Sequence, residues 1–140
     1  TATLDMGCFE YVHRSADSDG DTMADGYELD HRLDPTDPAD AGGNPDGDAF
    51  ATQYEYVCDT DPHDADDYFH VAEIGKASPV TLAFDSSTNR LYAMLTCTNL
   101  VLGTWDEIDG PRLGTGPGDL IQDTNAPCGA QFYRLEVRLP

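Results

Sequence analysis

Strict alternation of apolar and polar residues predicts β-structure in the second half of the chain. In residues 133–139 every second side chain is apolar and the others are charged, which is the period of a strand with one buried face. Further strand candidates are residues 68–74, 79–84 and 90–97, with a weaker one at 104–109. Several short strands separated by turns predict a mainly β fold, a small antiparallel β-sandwich over residues 68–140.

A turn-rich stretch interrupts this β region. Residues 110–118 contain four glycines and two prolines, and these residue types most often end helices and strands. We therefore expect no strand within 110–118.

The first eight residues show the same period of two. Ala2, Leu4, Met6 and Cys8 alternate with polar residues or glycine, which predicts a strand with one apolar face. The alternative is a frayed terminus, because chain ends are commonly disordered.

The acidic middle of the chain contains an internal repeat with a period of 27 residues. Gly, Tyr, Glu and Asp-Pro all return in the same register, which a disordered acidic segment, the alternative, does not explain. The repeat predicts a structural unit that occurs twice, and its identical pairs include Asp19/Asp46, Gly20/Gly47, Tyr27/Tyr54 and Glu28/Glu55. The predicted organisation is an N-terminal strand segment, a two-repeat module and a β-sandwich domain, at residues 1–16, 17–67 and 68–140.

Each repeat begins with a twelve-residue stretch that has the spacing of an EF-hand-like calcium loop. Such a loop binds Ca²⁺ through carboxylates at positions 1, 3 and 5, a backbone carbonyl at 7, an oxygen at 9 and a two-oxygen Glu at 12. The first loop supplies Asp17, Asp19, Asp21, Met23, Asp25 and Glu28 in that order. The second supplies Asn44, Asp46, Asp48, Phe50, Thr52 and Glu55. This pattern predicts two or more calcium ions, and the first site is expected to bind more tightly because its loop has more carboxylates.

One loop position departs from the EF-hand pattern. Position 6 is usually the Gly of the sharp turn, whereas Thr22 and Ala49 stand there and Gly20 and Gly47 occupy position 4. Because Thr and Ala avoid positive φ, we expect this turn to be built differently.

Two stretches of the acidic module share one arrangement of Asp, Gly and Asp-Pro: DSDGDTMADGYELDHRLDPTDPAD at 17–40 and NPDGDAFATQYEYVCDTDPHDADD at 44–67. Together they resemble the bacterial relatives of thrombospondin type 3 repeats, a calcium-loaded, extracellular and rod-like family with short helices and little apolar core. The resemblance implies that acids after each helix help to bind metal or cap the unit, namely Asp34, Asp37, Asp40, Asp61, Asp64 and Asp67. The alternative for each is an exposed turn acid.

Short aromatic motifs in residues 68–140 carry a looser resemblance. Asn99-Leu100, Gly103-Thr104-Trp105 and Phe132-Tyr133-Arg134 are similar to pieces of the β-sandwich tail that follows such repeats in many secreted bacterial proteins. This similarity implies the same fold class as the strand pattern.

Negative charge is concentrated in the repeat module. The chain has 27 acidic and 7 basic residues, and residues 17–67 hold 17 of the acids and a single base, Arg32, so that they carry −16 of the net −20. The lack of a basic patch disfavours nucleic acid and anionic membranes as partners. The sequence shows neither an apolar run long enough to cross a membrane nor a signal peptide, so we expect a processed, secreted chain without membrane insertion.

The four cysteines, Cys8, Cys58, Cys97 and Cys128, have no C-x-x-C spacing, and no histidine lies at zinc-finger distance from them, which disfavours a zinc site. An even, widely spaced set favours disulfides and an extracellular location. Pairing Cys8 with Cys58 and Cys97 with Cys128 keeps each bridge beside one module, and the other two connectivities stay open.

The sequence contains no catalytic constellation. The four histidines share no metal-ligand spacing, and outside the loops no two carboxylates stand out as an acid–base couple. We therefore expect a protein that is not an enzyme. The favoured function is a calcium-stabilised extracellular structural protein, a subunit of a surface fibre or filament that assembles head-to-tail with its own copies through the N-terminal strand.

The rival function is a carbohydrate-binding or anchoring module of a larger secreted hydrolase, which would make polysaccharide the partner. Trp105, Tyr92 and Phe132 could then form a platform for sugar rings. In a domain of this size we expect these aromatic side chains to belong to the core, because aromatic residues supply much of the buried area.

Overall fold

A computed structural model describes residues 14–76, 78–101, 103–126 and 130–140. The chain divides into two compact units: Thr1–Tyr56 with Asp61–Asp66, here called the loop unit, and Val57–Thr60 with Asp67–Pro140, the β unit. The predicted N-terminal strand lies outside the described residues, as do Cys8 and Cys128 and with them both preferred disulfides. Among the residues described, no helix has the length and apolar character needed to cross a membrane.

The described part of the loop unit has little regular structure and a small core. Its elements are helix α1 (Asp25–Asp30), a 3₁₀ turn (Asp40–Gly42) and helix α2 (Thr52–Cys58), whose last residues belong to the β unit. Met23, Tyr27 and Ala41 form the buried apolar cluster, against which Leu33 and Tyr56 pack. So few apolar side chains provide little hydrophobic stabilisation for a unit of this size.

The 27-residue repeat of the sequence recurs in the backbone hydrogen bonds. The N–H of Asp25 donates to the carbonyl of Ala16 (2.8 Å), and the N–H of Thr52, 27 residues later, donates to that of Gly43 (3.0 Å). Gly20 and Gly47 adopt φ of +83° and +79°. Both repeats therefore have the same local fold, with a helix that begins at loop position 9.

In its described residues, the β unit has six antiparallel strands in two three-stranded sheets. The strands are β1 (Val71–Gly75), β2 (Val80–Phe84), β3 (Leu91–Cys97), β4 (Asp106–Leu113), β5 (Asp119–Asp123) and β6 (Phe132–Arg138). One sheet has the order β1-β2-β5 and the other β4-β3-β6. The prediction of a mainly β fold with antiparallel strands is confirmed.

The core of the β unit lies between the two sheets. Leu82 and Phe84 from β2, Tyr92 and Met94 from β3, and Ile121 from β5 are buried there. The alternation that predicted strands therefore marks the side chains that one sheet presents to the other.

The first part of the turn-rich stretch belongs to a strand, so the expectation of no strand within 110–118 was wrong. β4 runs through Gly110 and Pro111. Gly110 has φ +100°, and a Cβ there would lie 2.4 Å from the carbonyl oxygen of Tyr92, so only glycine fits where the β3–β4 pairing is irregular. β4 is an edge strand, where a proline without an N–H is tolerated. β5, which begins at Asp119, had no counterpart among the predicted strands.

Candidate metal centres in the loop unit

Carboxylates of the first loop fold that loop. Asp17 Oδ1 accepts a hydrogen bond from the N–H of Gly20 (2.7 Å). Asp19 Oδ1 accepts one from the N–H of Asp21 (3.1 Å), and Asp21 Oδ1 one from the N–H of Met23 (2.7 Å). These short-range bonds are the usual way in which Asp and Asn shape turns.

The second loop repeats the same three bonds. Asn44 Oδ1 accepts from the N–H of Gly47 (2.7 Å), Asp46 Oδ1 from that of Asp48 (3.1 Å), and Asp48 Oδ1 from that of Phe50 (2.6 Å). In both loops, one oxygen of each of the later two aspartates is therefore used to build the turn.

The remaining oxygens of these aspartates are buried acceptors. These atoms are Asp19 Oδ2, Asp21 Oδ2, Asp46 Oδ2 and Asp48 Oδ2. They are shielded from solvent and accept no hydrogen bond from the part of the chain that the structure describes. The same holds for Asp40 Oδ1 and for both oxygens of Glu28. A buried polar atom without a partner costs free energy. A bound ion is one of the few arrangements that satisfies such a set.

Within the described ranges, three groups of carboxylates each bring oxygens within 4.8 Å of one another. In the first repeat one group joins Asp17, Asp19 and Asp21, and the next joins Asp21, Glu28 and Asp40. Asp21 belongs to both groups. In the second repeat the group consists of Asp46, Asp48 and Glu55. Only the family resemblance had indicated Asp40. This residue comes 12 positions after Glu28 in the chain, yet its carboxylate joins those of two residues of the first loop.

Among the described residues, negative charge accumulates without a compensating positive group around Glu28. Its side chain is 0% exposed. Burial, followed by the negative charges of Asp21, Asp19 and Asp40, raises its pKa from 4.5 to about 7. Burial also raises the pKa of Asp21, with Asp19, Asp40 and Asp17 adding to the effect. Carboxyl groups so placed favour either a proton or a cation.

Asp25 is not brought into any of these groups. Its Oδ1 accepts from the N–H of Ser18 (2.7 Å) and its Oδ2 from the Ser18 hydroxyl (2.7 Å). At the corresponding positions the second repeat has Pro45 and Thr52. Proline offers neither donor, and Thr52 is buried and donates its own hydroxyl to the carbonyl of Gly43 (3.3 Å). Both members of this hydrogen-bonded pair therefore change from the first repeat to the second. The loop pattern did not indicate Ser18, because it considers each loop position separately.

The other predicted loop ligands are held in place locally. Asn44 also donates its Nδ2 to the carbonyl of Asp48 (2.9 Å). Met23 lies in the core and Phe50 is exposed, while the backbone of each is fixed by the bonds described above. Coordination by the carbonyls of Met23 and Phe50 stays a prediction.

Most acids after the helices form turns. Asp34 Oδ1 accepts from the N–H and hydroxyl of Thr36, and the others accept from the N–H two residues later. These other acids are Asp37, Asp61 and Asp64. Asp67, the counterpart of Asp40, lies in the β unit and in none of the three groups. Of the six acids in question, the structure gathers Asp40 alone with loop carboxylates.

The turn at position 6 differs between the loops. Thr22 adopts φ +85°, which sequence reasoning had argued against, and Ala49 does not. The N–H of Thr22 donates to Asp17 Oδ2 (3.1 Å), and its hydroxyl accepts from Gln53 Nε2 (2.8 Å). These bonds hold the first turn in the EF-hand-like conformation despite the cost of a β-branched residue at positive φ.

Two histidines that looked scattered in the sequence meet in the loop unit. His31 and His63 line a cavity of about 190 Å³ with Asp30, Arg32 and Asp61. His63 Nε2 lies 2.7 Å from the carbonyl oxygen of His31. Neither histidine joins the three carboxylate groups.

The comparisons with known proteins leave these centres to be interpreted from their own geometry. No family model, no curated protein and no solved structure matched the chain.

Proposed function

We propose that the chain is a calcium-stabilised extracellular structural protein, a subunit that assembles with its own copies into a surface fibre or filament through the N-terminal strand. The observation that supports it most is the set of buried carboxylate oxygens in the loop unit that accept no hydrogen bond from any described residue. A subunit with so small an apolar core gains the stability it needs from the cations that these oxygens would bind.

Oxygen ligands favour calcium over other metals. The three groups consist of Asp and Glu alone, whereas zinc and copper sites commonly include the nitrogen of His or the sulfur of Cys. Mg²⁺ demands near-ideal octahedral geometry and keeps several waters, while Ca²⁺ accepts a larger, flexible oxygen cage. The EF-hand-like spacing of the loops supports the same choice.

The residues that would hold the metal are those of the three groups. Around the first loop they are Asp17, Asp19, Asp21, Glu28 and Asp40, and around the second Asp46, Asp48 and Glu55. The resemblance to bacterial relatives of thrombospondin type 3 repeats agrees with this assignment and with an extracellular location, where free Ca²⁺ suits modules of modest affinity.

The rival function, a carbohydrate-binding module, is disfavoured by the surroundings of its aromatic candidates. The guanidinium of Arg134 lies 4.9 Å from the centre of the Trp105 ring, so a cation already covers one face of that ring. Tyr92 is buried in the core. Of the three candidates, Phe132 keeps an exposed side chain.

Titration calorimetry with Ca²⁺ and Mg²⁺ tests the metal assignment. Wild type should bind at least two Ca²⁺ ions, with Mg²⁺ much weaker. Glu28→Gln should weaken one class of sites by about tenfold or more, and Glu55→Gln the other, because each removes part of a carboxylate group. Asp37→Asn is the matched control, since Asp37 lies in a turn outside the groups, and it should leave both classes intact. A wild-type titration without calcium binding would overturn the proposal.

Electron microscopy of the purified chain tests assembly. Filaments in calcium support a structural subunit. Dispersed monomers that bind polysaccharide would overturn the structural role in favour of the carbohydrate-binding one.

A further inference from the structure

We propose that the open side of the β unit, between β1 and β6, binds residues 1–8 of a neighbouring copy as an added strand. This inference rests on the self-assembly in the proposed function and specifies where on the acceptor the contact forms. The supporting observation is a structural difference between the two sides of the sandwich, the one formed by β4 and β5 and the one formed by β1 and β6.

The side formed by β4 and β5 is closed by hydrogen bonds between the sheets. Arg112 in β4 donates to the carbonyl of Leu120 in β5 (2.6 Å) and to Asp119 Oδ1 (2.7 Å). Asp109 Oδ2 in β4 accepts from the N–H of Gln122 in β5 (3.1 Å). Side chains of one edge strand thus bind backbone groups of the other, which protects both edges from further pairing.

The opposite side is formed by β1 and β6 and is open. β5 lies beside β4, and the sheet orders are β1-β2-β5 and β4-β3-β6, so face-to-face packing puts β1 and β6 together on the far side. Among the described residues each pairs with a single strand, β1 with β2 and β6 with β3. An unprotected edge of this kind presents backbone donors and acceptors to an incoming strand.

The apolar core is also incompletely covered on this side. Val71 and Ile74 in β1 are 41% and 45% exposed, and the whole of 71–74 is exposed. On β6, Tyr133, Leu135 and Val137 pack against the core but remain half-buried. In β3, by contrast, the residues facing the same core are buried. A further strand with one apolar face would cover these side chains.

Residues 1–8 have the properties of such a strand. Ala2, Leu4, Met6 and Cys8 share one face of the predicted strand. At about 3.3 Å per residue, eight residues span roughly 26 Å, which is enough to follow the seven residues of β6. An extended segment that joins a sheet edge gains main-chain hydrogen bonds and places alternate side chains in the groove.

The donor end of the chain is fixed to the loop unit. The carbonyl of Arg14 accepts from the N–H of Gly26 (3.1 Å), and that of Ala16 from the N–H of Asp25. Five residues, 9–13, separate this anchored chain from the segment, and five residues can span at most about 18 Å. Because every copy carries one donor and one acceptor, the contact is head-to-tail and extends into a filament unless it closes as a ring.

Three variants test the acceptor and the donor separately. Ile74→Lys places a charge among the uncovered apolar side chains of β1 and should abolish assembly, since lysine on an edge strand opposes pairing. Leu120→Lys is the matched control, because Leu120 is an equally exposed apolar residue on the closed side, and it should assemble normally. A chain that lacks residues 1–7 keeps Cys8 and should remain a folded, calcium-binding monomer.

Mixing the two defective chains provides the decisive measurement. Ile74→Lys retains a donor and the truncated chain retains an acceptor, so analytical ultracentrifugation in calcium should show a one-to-one heterodimer from two monomeric species. Assembly of Ile74→Lys like wild type would place the connector elsewhere and overturn the inference, while filaments of wild type would leave the proposed function standing. Absence of the heterodimer would mean that the segment pairs within its own chain, which also overturns it. Monomeric wild type would overturn both, with calcium binding judged separately by calorimetry.

Discussion

Asp119 in the β unit and Glu28 in the loop unit are both almost completely buried, 5% and 0% exposed, yet they have opposite surroundings. Asp119 accepts from the guanidinium of Arg112, the hydroxyl of Ser86 and the N–H of Thr115. Glu28 accepts from none of the described residues and has other carboxylates as neighbours.

The two pKa values reflect this difference. Burial alone would raise the pKa of Asp119, but hydrogen bonds from Arg112, Ser86 and Thr115 hold it well below its usual range. Burial and neighbouring charge raise the pKa of Glu28 to about 7. The β unit therefore supplies a counter-charge to its buried acid, whereas the described residues of the loop unit supply none to Glu28. Burial alone does not determine the pKa of an acid. The hydrogen-bond donors around the carboxylate decide whether the protein itself stabilises the charged form.

Removal of calcium should have the largest effect, and on the loop unit alone. A ligand bound only to the folded state stabilises it by about 2.7 kcal/mol per site at hundredfold excess, and two such sites match the lower end of typical domain stability, about 5 kcal/mol. Limited proteolysis in chelator should cut within residues 17–56 and leave a fragment that contains the β unit. Identical digestion patterns with and without calcium would contradict the comparison.

The next largest effect is expected from Asp119→Asn. It leaves the half-buried Arg112 guanidinium beside a neutral partner, which should cost the β unit about 1.5–3 kcal/mol. Because Asp119 lies outside the three carboxylate groups, urea denaturation should show the same loss in calcium and in chelator. Asp106→Asn, at an exposed position of β4, is the control and should change stability little. A loss that appeared in chelator alone would link Asp119 to the metal and contradict its assignment to the β unit.

Glu28→Gln should act in opposite directions with and without calcium. In metal-free protein the change removes a buried charge and should stabilise the loop unit by about 1–3 kcal/mol, since each unit of pKa shift corresponds to about 1.4 kcal/mol. In calcium the same change weakens the site and should destabilise the unit. Rates of proteolysis within 17–56 measure both, with Asp37→Asn as the reference. Destabilisation under both conditions would mean that Glu28 has a protein partner after all.

The two units should also respond oppositely to acid. The folded pKa of Glu28 is raised, so its contribution favours the metal-free fold fully below about 4.5, its usual value, and is lost as pH rises through about 7. Metal-free protein should therefore resist protease better at pH 5.5 than at pH 8. The pKa of Asp119 is lowered, so its contribution is present above the usual value of 3.8 and is lost as pH falls further. Circular dichroism of the β unit should accordingly change only below about pH 4.

The sequence predicted local features of the loops better than contacts between distant segments. The repeat was visible because each loop is shaped by bonds between residues two or three apart, which the order of Asp and Gly determines directly. Asp40 required knowledge of how the chain returns to Glu28, and Ser18 required attention to a partner seven residues away. Neither appears in a twelve-position template.

The β unit shows the same limit. Strands β1, β2, β3 and β6 correspond to the strand candidates at 68–74, 79–84, 90–97 and 133–139. For β4 there was only a weaker candidate at 104–109, because Gly110 and Pro111 usually end strands and are tolerated here only at a sheet edge. β5 had no counterpart among the predicted strands. The position of a strand in its sheet depends on the tertiary fold. The residue pattern of a single strand therefore does not predict whether that strand lies at an edge.

Exposed acids should show the smallest effects and no difference between the units. Asp30 in the loop unit pairs with Arg14, and Glu136 in the β unit pairs with Arg134, and all four side chains are at least one-third exposed. Water and salt screen such pairs, which contribute about 0–1 kcal/mol. Asp30→Asn and Glu136→Gln should therefore each shift the urea midpoint of their own unit only slightly, in calcium and in chelator alike. The contrary outcome is that Asp30→Asn lowers the stability of the loop unit strongly in chelator and not in calcium. That result would show that charge throughout the loop unit, and not the burial of a few carboxylates, makes the unit depend on calcium.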